Sequence, residues 1–132
     1  MCGRFARAND LDAVRRLLRF DTSELEELHP RYNVAPSQTV AALRVEDGRR
    51  LLLPLKWGLI PSWAKDAKIG YSLINARSET VAEKPAFRSA FKARRCLIPA
   101  TAFYEWQKAG TKRKQPFAFE LRDGQPFAFS GL

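Results

Sequence analysis

The sequence predicts a β-rich α+β domain, and three observations lead there. The apolar runs are short and bounded by turn residues. Helical patterning is confined to two or three short stretches. The 132 residues, 45% of them hydrophobic, suit a single domain over 1–132 with a buried core and a large wet surface. No apolar run approaches the roughly 18–20 residues of a membrane span. The N-terminus also lacks the basic-then-apolar pattern of a signal peptide, so a soluble, cytoplasmic protein is expected.

Taken in order, CGRF reads as a short extended segment. Asn9 is placed to cap a helix that carries Leu11, Val14, Leu17 and Leu18 on one face. DTSELEE is acidic and helix-prone, and Pro30 forces an irregular approach to RYNVAPSQ. Thr39 to Val45 alternates as a strand, Asp47-Gly48 is a hairpin turn, and RLLLPLKW forms the return strand. Pro54 inside that run predicts an edge or a bulge. GLIPSWAKDAKIGYS is loop-like and carries Trp63 and Tyr71 beside Gly and Pro, with Trp57 just ahead of it. SLINARSE starts extended and turns helical near Glu79, and Pro85 suits the first turn of a helix running towards Phe91. CLIPATAFYEWQ supplies one or two strands, ended by the polar turn KAGTKRK.

QPFAF occurs twice, at Gln115–Phe119 and Gln125–Phe129, around Arg122-Asp123-Gly124. The pair reads as a hairpin directing Phe117, Phe119, Phe127 and Phe129 to one packed face. Leu132 follows directly, which would leave a hydrophobic strand edge uncovered, as in the front part of a longer fold.

Lys plus Arg total 23 against 14 for Asp plus Glu, a formal net charge of +9. That balance favours polyanionic partners, although solubility alone also accounts for it. Two cysteines, Cys2 and Cys96, make neither a disulfide framework nor a metal-ligand set. Cys96, in the apolar RRCLIPA, reads as a buried inert thiol. The single histidine, His29, lies between a helix end and a Pro-led turn and reads as a surface residue. No metal or organic cofactor is indicated.

Cys2 follows the initiator methionine. Once Met1 is removed it carries an α-amine with a reference pKa of about 7.7–8.0 beside a thiol of about 8.5. An amine and thiol on adjacent carbons condense with an aldehyde, first as an imine and then as a five-membered thiazolidine. The same groups could serve an N-terminal nucleophile hydrolase. A third reading is an incidental terminal residue. Three polar residues in apolar settings stand beside this one: Asn75 in SLINAR, Arg77 two positions on, and Glu105 between aromatics in FYEW. A carboxylate so placed suits acid–base work, while an alternating strand would instead point it to solvent with Phe103 and turn Tyr104 and Trp106 to the core. Arg77 could also pair with Glu79.

MCGRF, RYNVAPSQ, KWGLIPSW, LINARSET and FYEW occur in the order and spacing of the SOS-response-associated peptidase (SRAP) family, and the resemblance runs over essentially the whole chain. It implies sheets curving into a partly open barrel with short flanking helices. It implies a sensor of abasic sites in single-stranded DNA that attaches to them covalently, or, from the family's name, a thiol peptidase; a noncovalent single-strand binder is the third alternative. By this resemblance Cys2 is the crosslinking nucleophile, Asn75 holds the sugar and the reacting N-terminus, and Glu105 is the acid–base group. Arg4 and Arg77 match residues near the DNA phosphates. Asn33 in RYNVAP, Trp63 in WGLIPSW and Trp106 in FYEW match cleft residues that contact DNA. The family's later part carries an active-site histidine in an HxR-type motif, and neither the position nor the context of His29 matches it.

Overall fold

A computed structural model describes residues 2–108 and 114–132. Phe5–Arg7 (β1) is followed by the helix Leu11–Leu18 (α1), then Thr22–Ser23 (β2), Arg31–Val34 (β3), Thr39–Glu46 (β4) and Arg49–Lys56 (β5). After a long irregular stretch come a short helix, Arg88–Ala93 (α2), and the strands Cys96–Ala100 (β6), Ala102–Lys108 (β7), Lys114–Phe119 (β8) and Phe127–Gly131 (β9). The strands form a four-stranded sheet, β3-β1-β7-β8, and a five-stranded sheet, β2-β5-β4-β6-β9. This is the expected β-rich α+β architecture, and no barrel is closed among the described residues.

Period-2 alternation in β4 explains how the layers stack. Ala41 and Leu43 face α1, joining Val14, Leu18, Phe20 and Leu52 in one core cluster. Val40 faces the other way and meets Phe5, Val34 and Ala100 between the two sheets, with Ile98, Phe103, Phe127 and Phe129 around them. The β4–β5 hairpin turns on Asp47 and Gly48, both at positive φ (49° and 78°), as a two-residue turn between twisted strands requires. Pro54 breaks no register: β2 pairs only with Leu51 and Leu52, so at Pro54 the outer side of β5 is already an edge.

Four expectations are corrected. The N-cap of α1 is Asp10, not Asn9; its carboxylate accepts from the Ala13 amide at 2.8 Å, and the buried face of Val14 and Leu18 is unchanged. DTSELEE forms no helix, because Asp21 and Glu24 amides bond to the carbonyls of Arg50 and Leu52 and draw the segment onto β5 as β2. The helix expected from Pro85 begins only at Arg88; residues 77–87 are successive turns closed by bonds such as Thr80 to Arg77 and Phe87 to Lys84. The QPFAF copies do not pair with each other. β8 adds to β7 and β9 adds to β6, in different sheets, and each copy reaches Phe103 with its own rings. Phe119 stacks on Phe103 at 5.1 Å between ring centres, and Phe127 and Phe129 pack edge-on to Phe103, whereas Phe117 stays outside.

CLIPATAFYEWQ is two strands, and Thr101 is the point at which the chain changes sheets, its amide donating to the Ala6 carbonyl at 2.8 Å. β8 and β9 are the outermost strands of their sheets, and Phe117, Phe119 and Leu121 are 46–47% exposed. The predicted turn at KAGTKRK falls on residues 109–113, outside the described residues. No described helix is long and apolar enough to cross a membrane.

Candidate functional site at Cys2

The site begins where β1 meets β7. Phe5 pairs with Phe103 and Ala6 with Ala102, and the Tyr104 amide donates to the Arg4 carbonyl at 2.9 Å. The same antiparallel count sets Gly3 level with Glu105, which brings the N-terminal residues alongside FYEW. Cys2 is half-buried at this point and its thiol donates to the Arg4 carbonyl, two residues on, at 3.4 Å.

The other wall comes from the irregular stretch after β5, and two glycines hold it in place. Gly58 has φ +134°, and the backbone of Gly70 passes so close that a Cβ at Gly58 would lie 2.6 Å from the Gly70 oxygen. This contact folds the loop back on itself. The Leu59 amide then bonds to the Leu73 carbonyl at 3.0 Å, and the Trp57 indole N–H to the Ile74 carbonyl at 2.8 Å. The next residue, Asn75, is thereby delivered to Cys2, and its Nδ2 donates to the Cys2 carbonyl at 2.7 Å.

Cys2, Trp57, Ile74 and Asn75 line one cavity of about 210 Å³, together with Lys56 and Phe129. A larger groove of about 600 Å³ is lined by Val81, Phe91 and Leu97, and shares Cys96, Ser130 and Gly131 with the first. Of the two, the smaller is lined by Cys2 and Asn75, and Arg4 and Glu105 line neither, so the Cys2 chemistry belongs to the smaller cavity. Arg4 stands beside it with Nη1 donating to Asn33 Oδ1 at 2.8 Å, which orients the guanidinium. Glu105 is half-buried, and its negative charge reaches the Cys2 thiol.

Burial pushes the Cys2 thiol above its ordinary value; Glu105 adds to the rise and a backbone hydrogen bond at Arg4 opposes it. The thiol therefore keeps its proton at neutral pH more than a free cysteine does. Replacing Glu105 with Gln removes one raising influence and leaves burial in place. Alkylation of Cys2 by iodoacetamide at neutral pH should then speed up by about 2–5-fold, read by mass spectrometry of the Cys2 peptide. A rate equal to or below that of the unmodified protein would show that the charge does not reach the sulfur.

The structure brings Cys2, Asn75, Arg4, Asn33 and Glu105 together. The remaining candidates lie outside this cluster. Trp63 is 57% exposed, with its indole N–H directed to the Pro85 carbonyl at 3.4 Å. Arg77 is exposed and forms no ion pair with Glu79, whose carboxylate instead accepts from Ser78 at 3.4 Å. Trp106 is 41% exposed and does not face the core, while the Tyr104 hydroxyl donates to the Tyr32 carbonyl at 2.8 Å. His29 is an exposed partner of Glu27 at 2.8 Å and is absent from the lining of the Cys2 cavity. Cys96 is buried as expected, and burial raises its thiol too. Sequence reasoning missed the structural weight of Trp57 and of the Gly58–Gly70 crossing. The signal was a pair of glycines at either end of a loop rich in aromatics.

A family model described as SOS response associated peptidase (SRAP) matches residues 1–132. The chain belongs to the SRAP family. Among SRAP relatives, the abasic site processing protein YoqW of Bacillus subtilis is 47% identical over 133 residues, covering 100% of this chain and 59% of that protein. The abasic site processing protein YedK of Escherichia coli is 36% identical over 136 residues, with 100% and 59% covered. A solved structure of a phage-related protein from Bordetella bronchiseptica superposes with a TM-score of 0.78 at 29% identity, covering 99% of this chain and 60% of that one. This SRAP chain thus spans about 59% of the length of the curated relatives it matches.

Proposed function

We propose that this chain is the N-terminal portion of an SRAP domain that captures abasic sites in single-stranded DNA as a covalent thiazolidine on Cys2. The observation that carries the reading is the 2.7 Å bond from Asn75 to the Cys2 carbonyl at the mouth of the cavity. That bond fixes the backbone from which both reactive groups extend, the α-amine on one side and the thiol on the other. The names borne by YoqW and YedK, both abasic site processing proteins, support the choice of substrate.

The chemistry follows from the residues. Hydrolysis of the Met1–Cys2 peptide bond frees the Cys2 amine. An abasic sugar opens to an aldehyde, and Glu105 moves the proton from the sugar hydroxyl to the ring oxygen. The amine adds to the aldehyde carbon, and loss of one water leaves an imine. The thiol then adds across the C=N bond, with sulfur on carbon and the proton on nitrogen, and the ring closes. Apart from Met1 removal, capture releases one water and needs no oxidant, metal or nucleotide. Starting with the amine suits a site in which burial holds the thiol protonated. The family's later histidine has no counterpart within residues 1–132, so the proposal covers capture, not strand cleavage or reversal.

Arg4, oriented by Asn33, would contact a phosphate beside the reacting sugar. Arg77, Trp63 and Trp106 would hold the flanking strand, since exposed arginine and indole groups bind backbone and bases without reading sequence.

The test mixes the protein with a single strand that contains one abasic site and resolves the products under denaturing conditions. A denaturant-resistant adduct is expected with the abasic strand and not with an intact one. Salt-sensitive binding to both strands with no adduct would replace the proposal with a noncovalent binder.

A further inference from the structure

Lys56 and Tyr71 form a feature at the lip of the Cys2 cavity that the capture chemistry does not use. Lys56, at the end of β5, lines the cavity with Cys2 and Asn75. Its ammonium stands 5.7 Å from the centre of the Tyr71 ring. Tyr71 is 63% exposed, which leaves the residue accessible to a ligand. Neither group is neutralised: among the described residues Lys56 makes no ion pair.

The backbone that carries the ring is also held in place. Tyr71 ends a 3-10 turn over Ala67–Tyr71, capped by the Asp66 carboxylate on the Lys68 amide and closed by Ser72, whose amide and hydroxyl both donate to the Ile69 carbonyl. Gly70, next to it, is the backbone clamped against Gly58. A backbone ordered before binding loses little conformational freedom when a base stacks on the side chain it carries.

We infer that Lys56 and Tyr71 form a nucleotide-binding rim, in which an unpaired base stacks on the Tyr71 ring and the adjoining phosphate pairs with Lys56. The inference rests on the single-strand reading above and adds a contact to it. The rim lies on the wall formed by the 58–75 loop, whereas Arg4, Asn33 and Glu105 come from the β1–β3–β7 wall. A strand touching both would cross the cavity mouth with the reacting sugar over Cys2. No sequence preference is expected from this contact, because every base has a stacking face.

The test measures noncovalent binding of an intact oligothymidylate, by fluorescence anisotropy across a salt series, so that crosslinking plays no part. Tyr71→Ala should weaken binding about 5- to 150-fold, the range for one lost base–aromatic stack. Tyr71→Phe should stay within about 2-fold, because the ring and not the hydroxyl makes the contact. Lys56→Gln should reduce the slope of log affinity against log salt by about 0.7, one phosphate contact on a single strand. Circular dichroism establishes that each variant is folded. If the unmodified protein binds the strand and Tyr71→Ala binds equally well, or Lys56→Gln leaves the slope unchanged, the rim is refuted and the wider reading stands. If the unmodified protein does not bind, both fall.

Discussion

Gly58→Ala is expected to destabilise the protein by about 2–4 kcal/mol and to slow adduct formation at the same time. Two costs combine at this position. The residue sits at φ +134°, a conformation that side chains other than glycine's rarely adopt, and its new Cβ would lie 2.6 Å from the Gly70 oxygen. The obstruction is backbone, so no rotamer change relieves it. Relief requires the loop to open, which strains the Leu59–Leu73 and Trp57–Ile74 bonds and moves Asn75 away from Cys2. Gly48→Ala is the control. Gly48 also has positive φ, +78°, but nothing lies within 4 Å of its Cβ position. That variant should lose only about 1 kcal/mol and keep its adduct rate. Thermal denaturation and the abasic-strand assay, run on both variants, check the pair. Equal losses would mean that the glycine crossing does not position the site.

The second large effect is at the two cysteines, which line the same cavity but have different surroundings. Cys2→Ala should abolish the denaturant-resistant adduct, a loss of at least about 100-fold, because the imine then has no thiol to close the ring. Sodium borohydride should still trap part of that imine as a reduced amine linkage. Cys96→Ala should leave the adduct unchanged. Cys96 is buried, packed beside Gly131, and as an internal residue its nitrogen is an amide with no free amine to offer, so a modest loss of stability of about 1 kcal/mol is expected instead. Quantifying adduct on denaturing gels for both variants separates the two. A persistent adduct in Cys2→Ala without borohydride would place the linkage on another nucleophile.

The strands with regular alternation, β4 and β5, were legible to within a residue, because their pattern and the Asp47-Gly48 turn are local properties. The helix face of Val14 and Leu18 was equally plain. QPFAF misled because two self-similar strands joined by a turn satisfy every local rule for a hairpin. Their assignment to different sheets is set by competition from β7 and β6, which the local sequence does not encode. DTSELEE has the same lesson: helix propensity of a few acidic residues yields to two backbone bonds with β5. In the site, LINAR and FYEW marked Asn75 and Glu105 by the oddness of a polar group among apolar neighbours. What brings them to Cys2 is the Gly58–Gly70 contact and the β1–β7 register, both long-range. Tyr71 read as one more loop aromatic, since its partner Lys56 lies in a different element.

The central claim is a thiazolidine between Cys2 and an abasic sugar, and the intact mass of the adduct tests it most directly. The claim predicts the mass of the protein without Met1 plus that of the abasic oligonucleotide, less one water, with peptide mapping placing the linkage on Cys2 and no reductant required. An adduct that retains Met1, a linkage mapped to any lysine, or no adduct with intact Cys2 would contradict it.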